Sequence, residues 1–503
     1  MPAMPAMPAM PAMPAMPAMP PKPAGNLALL TDFYELTMMQ GYFLNRYDPD
    51  TVFEMFFRKA PFGGGFTMFA GLQPLLEAVA GLAFTSEDRA YLEAQGVFNP
   101  EFLDYLSSLR FTGDIYAMEE GSIVFPGEPL LRVHAPLMQA QLLESLVLNI
   151  LNFQTLVATK AARIWLASGE GTVLEFGLRR AQGVDGALAA SRAAFIGGAA
   201  ATSNTLAGRL FDIPVRGTMA HSWIMAFENE LEAFRKYAEV YPDGCILLID
   251  TYDTLRSGLE NAVLVGRALK ASGHKHFGVR LDSGDLEYLS KQVRQRLDAE
   301  GLREALIAAS NELDEEIIQQ LLAQGAPIDT WGVGTHLVTA KGDPALTGVY
   351  KLAARKVDGR FQPAMKVSNN PEKISDPGIK QVHRFYNGSG SPIADLLTLE
   401  EERVEAGHPH RFYHPRYPYQ FMDVSGVRRV EPLLKAVMRG GRIATEFPPL
   451  LALQERARAN LRGLDATYRR ILNPHLYKVS LSEALKDLKF RLIAEYESEG
   501  AKP

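Results

Sequence analysis

The chain predicts an α/β fold: an irregular (β/α) barrel, preceded by an N-terminal α/β domain and followed by a C-terminal, mostly helical extension. Three observations predict it. Between residues 172 and 352, short apolar strand-like runs alternate with helix-patterned gaps, the signature of parallel βαβ units. Polar, chemistry-bearing residues follow the ends of nearly all these runs, as barrel active sites require. Before residue 168 the pattern is different, a mixture of helices and short broken strands that reads as a separate domain.

The elements follow in order. Residues 1–18 are the triplet MPA repeated six times, followed by Met19-Pro20. Proline at every third position favours extended chain and builds no core, so a disordered, dispensable tail is expected over 1–24. It has neither the charged start nor the leucine-rich centre of a signal peptide, and seven methionines spaced by three leave the start codon ambiguous. An amphipathic helix runs to about Gln40 through Leu29, Leu30, Phe33, Leu36 and Met39. Thr51–Arg58 alternates as a strand and leads into Phe62-Gly-Gly-Gly-Phe66, which is either a site of close backbone or ligand approach or a plain hairpin loop. Leu72–Ala83 and Glu87–Gln95 read as helices, Gly113–Pro136 as a small β unit, and Leu137–Ala167 as a long apolar-periodic helical stretch, which closes a domain at 25–167.

The barrel is expected over 168–360. Its strand-like runs are Thr172–Phe176, Ala194–Ile196, Ile213–Thr218, Cys245–Ile249, Phe277–Leu281, Leu306–Ala309, Thr330–Val333 and Val349–Leu352. Helical gaps such as Ser257–Ser272 and Leu286–Glu300 separate them, and so many units in a row favour a closed barrel over an open sheet. A basic, strand-like stretch then spans Lys366–Lys373 and Lys380–Arg384, for which a solvated charged hairpin is the plain alternative. The extension, 361–503, is proline-rich from Pro392, turns helical at Pro448–Arg462 and Leu481–Glu497, and is expected to pack on the N-terminal domain.

Composition limits the function classes. A hydrophobic share of 47% and a charged share of 22% are those of an ordinary globular protein, and 503 residues can bury a large core. The net charge of −6 gives no reason to expect nucleic acid or an anionic membrane as partner. The single cysteine, Cys245, excludes an internal disulfide or a CxxC metal site, and its apolar surroundings suggest a buried, inert thiol. One cysteine fits a reducing compartment, so a cytoplasmic protein is expected. No apolar stretch is expected to reach the roughly 18 residues of a membrane span.

The most informative segment is Val215–Ile224. It carries His221 and Ser222 just past a strand-like run, where a neutral imidazole can accept a proton or carry a phosphoryl group. The bland alternative is a helix-start histidine capped by Thr218 or Ser222. Similar turns recur. They hold Phe176 with Arg179 and Arg180, Thr202-Ser203-Asn204, Asp250 and Asp253, Arg280, Asp282 and Asp285, Ser310-Asn311-Glu312, and Gly332-Val333-Gly334-Thr335-His336. Arginine forks suit carboxylate or phosphate. The Gly332–Thr335 turn offers N–H groups and a hydroxyl to a phosphate. The aspartates can hold ribose hydroxyls or magnesium. Phe176 and Tyr34 can stack on a flat ring, although core packing accounts for Phe176 equally well. Together these suggest a barrel enzyme acting on a phosphorylated sugar, magnesium and an aromatic acid, without choosing the reaction.

TDFYELTM at Thr31–Met38, FRKAPFGGGF, EGSIVFPGEPLL, EFGLRRAQG, GTMAHSW, IDTYDT, RLDSGD, WGVGTHL and GVYKLA, in that order, resemble the nicotinate phosphoribosyltransferases, type II phosphoribosyltransferases, over about Leu27 to Arg384. The resemblance implies a ligase-type enzyme of NAD salvage. It would make nicotinate mononucleotide and pyrophosphate from nicotinate and phosphoribosyl pyrophosphate, with coupled ATP hydrolysis and Mg²⁺, in a homodimer with shared active sites. It implies that ATP phosphorylates His221 and that Asp250 orients it. Asp282, with Arg280 beside it, would lie near magnesium and the phosphoribosyl group, with Asp250 a second metal candidate. Gly334 and Thr335 would cradle the 5′-phosphate, and Arg179 and Ser222 would lie near substrate. Phe176 would stack on the ring with Tyr34 from the other subunit. Amide-using relatives carry an aspartate after the second barrel strand. Gly197–Thr202 holds no acid here, which favours nicotinate over nicotinamide. Alternatives are a nicotinamide-using enzyme on the same fold and a non-catalytic nucleotide-binding homologue.

Overall fold

The computed structural model describes residues 26–368, 370 and 373–500. The expected tail and Asn369, Pro371 and Glu372 of the basic stretch lie outside these residues. The α/β class holds, built on three main sheets.

The first sheet has seven strands. Asp50–Phe57 is an interior strand, antiparallel to Gly348–Val357 on one side and to Leu131–Pro136 on the other. It is buried on both faces, and Val52, Phe53, Met55 and Phe57 join the core. Beneath it runs the helix Glu144–Ala167, entered through Leu137–Leu142. Contrary to expectation, the stretch Leu137–Ala167 is long and apolar enough to cross a membrane, but 61% of its most apolar window is buried inside the fold. Core helices pass the same test. Its buried Lys160 and Arg163 confirm the core role, each reaching Glu315 of the helix Glu315–Ala323, at 2.7 and 2.8 Å.

The second sheet positions the site. It is parallel throughout, in the order 201–202, 172–175, 330–333, 306–309, 277–281, 245–248. It curls into a half-barrel whose two edge strands, 201–202 and 245–248, do not pair. Five of the expected runs are strands here. Three are not. Ala194–Ile196 ends the helix Gly183–Ile196, because its alanines favour helix and Gly197-Gly198 stop it. Ile213–Thr218 forms only one bridge, Val215 to Thr202. Val349–Leu352 joins the first sheet instead, where its apolar side chains meet the 50–57 strand.

The C-terminal region is a correction in detail. It was expected to be mostly helical, yet it carries a six-stranded sheet in the order 421–424, 410–413, 479–481, 392–399, 380–386, 429–432. Of the helices that follow, Glu483–Gly500 packs on that sheet, whereas Leu450–Gly463 packs on the helix Gly183–Ile196 and reaches Gly121 of the N-terminal region through Asn460. The basic stretch 380–384 is a core strand whose charges are paired. Arg384 binds Asp395 at 2.5 Å and Lys380 binds Glu54 at 2.8 Å. The triple glycine is a site of close backbone approach and not a plain hairpin loop. A Cβ on Gly65 would stand 2.5 Å from the Tyr468 carbonyl oxygen, so glycine lets the C-terminal region dock there.

Candidate active site

Loops at the carboxyl ends of the 245–248 and 277–281 strands meet His221, and Arg280 ties in the end of the 306–309 strand through Ser310. His221 opens the short helix His221–Met225, whose N-cap is Ala220 with no side-chain cap. The capping alternative for Thr218 and Ser222 therefore does not hold. The imidazole is 41% exposed, so it is open to a ligand. Its Nδ1 lies 3.0 Å from the Thr251 hydroxyl, and its Nε2 lies 3.8 Å from Asp282 Oδ2.

Asp250 bonds the neighbouring loop and not the His221 ring. Its Oδ2 accepts the Asp282 N–H at 3.1 Å and the Ser283 hydroxyl at 2.5 Å. The 245–248 and 277–281 strands are neighbours, so the loops that follow lie side by side. Asp250 ties these loops together, which leaves Thr251 and Asp282 as the groups facing the histidine.

Arg280 spreads its fork across the site. Nε donates to Ser310 Oγ at 2.9 Å, Nη1 to Thr218 Oγ1 at 2.7 Å, and Nη2 to Asp282 Oδ1 at 3.2 Å. The Ser310 hydroxyl also donates to Asp282 Oδ1. Arginine, aspartate and serine thus form a closed, charge-assisted triangle.

The Phe176 ring lies over Gly332. A Cβ there would come within 2.7 and 2.8 Å of ring carbons, so only glycine admits the ring in this place. Phe176 N–H donates to the Val333 carbonyl at 2.8 Å. Arg179 is exposed on the short turn Leu178–Arg180 that follows. Gly334 caps the four-residue helix Thr335–Val338, and a Cβ on it would stand 3.2 Å from the Phe176 carbonyl oxygen. His336 beneath is buried between Glu312 at 3.0 Å and Asp314 at 3.2 Å. Gly197 and Gly198 do not face the pocket: added Cβ atoms would meet the Ala158 carbonyl at 2.3 Å and Trp165 at 2.9 Å. The half-buried residue at that strand end is Ser203, again not an acid.

Tyr34 stands apart from this cluster. It is 49% exposed on the helix Phe33–Leu44 and lines a cavity of about 580 Å³ with Asp32, Glu144 and Asn149, none of them strand-end residues. Burial pushes the Cys245 thiol up to about 12, so it is no nucleophile at neutral pH.

Sequence reasoning missed Thr251, Thr218 and Ser310 as partners, and Glu175 beneath Phe176. Only Glu175 leaves a signal, a lone carboxylate at the end of an apolar parallel strand. Among the described residues no three His, Cys, Asp or Glu side chains converge as a ready metal site. Asp250 Oδ1 is buried without a hydrogen-bond partner beside Asp282, which fits a hard cation held by two carboxylates and substrate phosphates.

Comparison with known proteins shows the family. Residues 29–152 match the model of the nicotinate phosphoribosyltransferase N-terminal domain, 172–388 that of the family, and 379–489 that of its C-terminal domain. A nicotinate phosphoribosyltransferase from Bacillus subtilis is 43% identical over 477 residues, 94% of this chain and 96% of its own length. One from Homo sapiens is 36% identical over 93% of this chain and 96% of its own. The crystal structure of human nicotinic acid phosphoribosyltransferase superimposes with a TM-score of 0.81 at 33% identity, covering 92% of this chain and 99% of the other.

Proposed function

The chain belongs to the nicotinate phosphoribosyltransferase family, and from that premise we propose that the strand-end cluster joins nicotinate to phosphoribosyl pyrophosphate in NAD salvage, with ATP hydrolysis coupled through His221. One observation carries this reading: His221, the Arg280–Asp282 strand end and Ser310 come from three separate segments and are joined in one chain of contacts through Asp282.

The nicotinate ring nitrogen bonds to C1′ of the ribose while the C1′–oxygen bond to pyrophosphate breaks, and pyrophosphate leaves with the electron pair. Little covalent work falls to the protein. Its part is positioning and neutralising charge on the leaving group. Phe176 supports the ring, and Arg280 and Arg179 supply the positive charge. Asp250 and Asp282 would hold Mg²⁺, which would supply positive charge for the pyrophosphate oxygens. In the coupling step an imidazole nitrogen attacks the γ-phosphorus of ATP and ADP departs. Water later takes the phosphoryl group from the nitrogen, releasing phosphate. Asp282 beside Nε2 stabilises the cationic ring as the group transfers. Tyr34, exposed on its helix, completes the ring site of a second copy in a homodimer.

The acid-free strand end at 201–204 supports nicotinate over nicotinamide, since a carboxylate there would repel a carboxylate substrate. The test is mass detection of nicotinate mononucleotide from purified protein, with nicotinate and nicotinamide in parallel, with and without ATP. Product from nicotinate that rises with ATP is expected. Product only from nicotinamide, or none, overturns the reading.

A further inference from the structure

Glu175 ends the strand Thr172–Glu175 and is 1% exposed. A carboxylate so deep must be paired or fully hydrogen-bonded. Three neutral donors meet it, each from a different segment. One oxygen accepts the Gly177 N–H. The other accepts Ser191 Oγ at 3.0 Å, from the helix Gly183–Ile196, and Thr202 Oγ1 at 2.5 Å, from the edge strand. The network extends outward, with Thr202 Oγ1 accepting the Asn204 N–H at 2.9 Å and the Asn204 amide donating to Ser191 Oγ at 3.3 Å.

The far side of the same turn is equally constrained. A Cβ on Gly177 would stand 2.2 Å from Val338, and one on Gly334 would stand 3.2 Å from the Phe176 carbonyl. The turn carrying Phe176 and Arg179 is therefore clamped between a buried carboxylate and the loop after the 330–333 strand. Such a carboxylate is costly in a parallel strand, and an apolar residue would leave the Gly177 N–H without its acceptor. Its three bonds converge at the base of the residues that would meet the aromatic ring.

We propose that Glu175 is a positioning residue for the aromatic-acid subsite, fixing the Phe176–Arg180 turn and with it the ring platform. The proposal rests on the reaction assigned above. Glu175→Ala and Glu175→Gln in the full chain test it. Glutamine keeps an oxygen for the Gly177 N–H and an amide for the two hydroxyls, which can accept. Alanine is expected to raise KM for nicotinate about tenfold and KM for phosphoribosyl pyrophosphate by a smaller factor, through Arg179 on the same turn, and glutamine is expected to restore most of the loss. An unchanged KM for nicotinate in Glu175→Ala overturns the proposal. So does a lower kcat with every KM unchanged, since that is only loss of folded enzyme. Should the alanine variant not fold, Thr202→Val removes one donor and is expected to show the same split at smaller size. An unchanged nicotinate KM there overturns the proposal in its place. If the wild-type chain makes no nicotinate mononucleotide, the reaction assignment fails. Calorimetric binding of nicotinate to wild type and variants then decides the positioning role, equal affinities overturning it.

Discussion

Removing the Ser310 hydroxyl tests the triangle at the heart of the site. Ser310→Ala deletes the acceptor of Arg280 Nε and the donor to Asp282 Oδ1 in one step. Hydrogen bonds to charged groups contribute about 1.5–3 kcal/mol each. The Arg280 and Asp282 side chains are 15% and 27% exposed, so water replaces part of what is lost, and their direct contact at 3.2 Å survives. The net loss should be about 1.5–3 kcal/mol for the pair, which is roughly ten- to a hundredfold in kcat/KM. Steady-state formation of nicotinate mononucleotide gives the rate, and a melting curve checks the fold. Loss of rate with a nearly unchanged Tm is expected. A variant within about twofold of wild type would show that catalysis does not depend on this arrangement of Arg280 and Asp282.

Other predictions concern the ring platform, the core and pH. Gly332→Ala drives a Cβ into the Phe176 ring and should raise KM for nicotinate about tenfold, with little change for phosphoribosyl pyrophosphate, as separate substrate titrations will show. Glu315→Ala strips Lys160 and Arg163 of their buried partner, and urea unfolding should read a loss of about 3–5 kcal/mol. Burial pushes the His383 imidazole down to about 4 from its ordinary 6.5. The unfolded chain takes up that proton below pH 6.5 while the native chain resists it, so stability falls as pH drops toward 4. This one group contributes up to about 3 kcal/mol of that fall. Urea unfolding at pH 7 and pH 4.5 should show His383→Gln losing less stability than wild type over the same interval.

The sequence was legible where a local pattern decides structure. The runs at 172, 245, 277, 306 and 330 are apolar parallel strands, and periodicity finds such strands well. Ala194–Ile196 misleads because a short apolar run does not tell strand from helix end. The 348–357 strand was found but misplaced, since its partner lies some 300 residues earlier and no local rule encodes that pairing. The 380–384 strand was visible as a strand-like stretch, but its burial was not, since Lys380 finds its partner Glu54 some 300 residues earlier and the strands beyond it hide among prolines and charges. In the site, His221, Asp282 and Arg280 were visible as residue types at strand ends. Their partners were not. Thr251 and Ser310 are ordinary hydroxyls until the curl of the sheet brings them to the imidazole and the guanidinium. The partners of Asp250 were hidden for the same reason, because its neighbours are set by strand order and not by sequence.

The ratio of ADP to nicotinate mononucleotide, followed in wild type and His221→Ala, tests the central claim most directly. Wild type should release the two together, and the variant should keep a weak, ATP-independent synthesis with no ADP formed in step. A His221→Ala protein that still hydrolyses ATP in proportion to product would contradict the account.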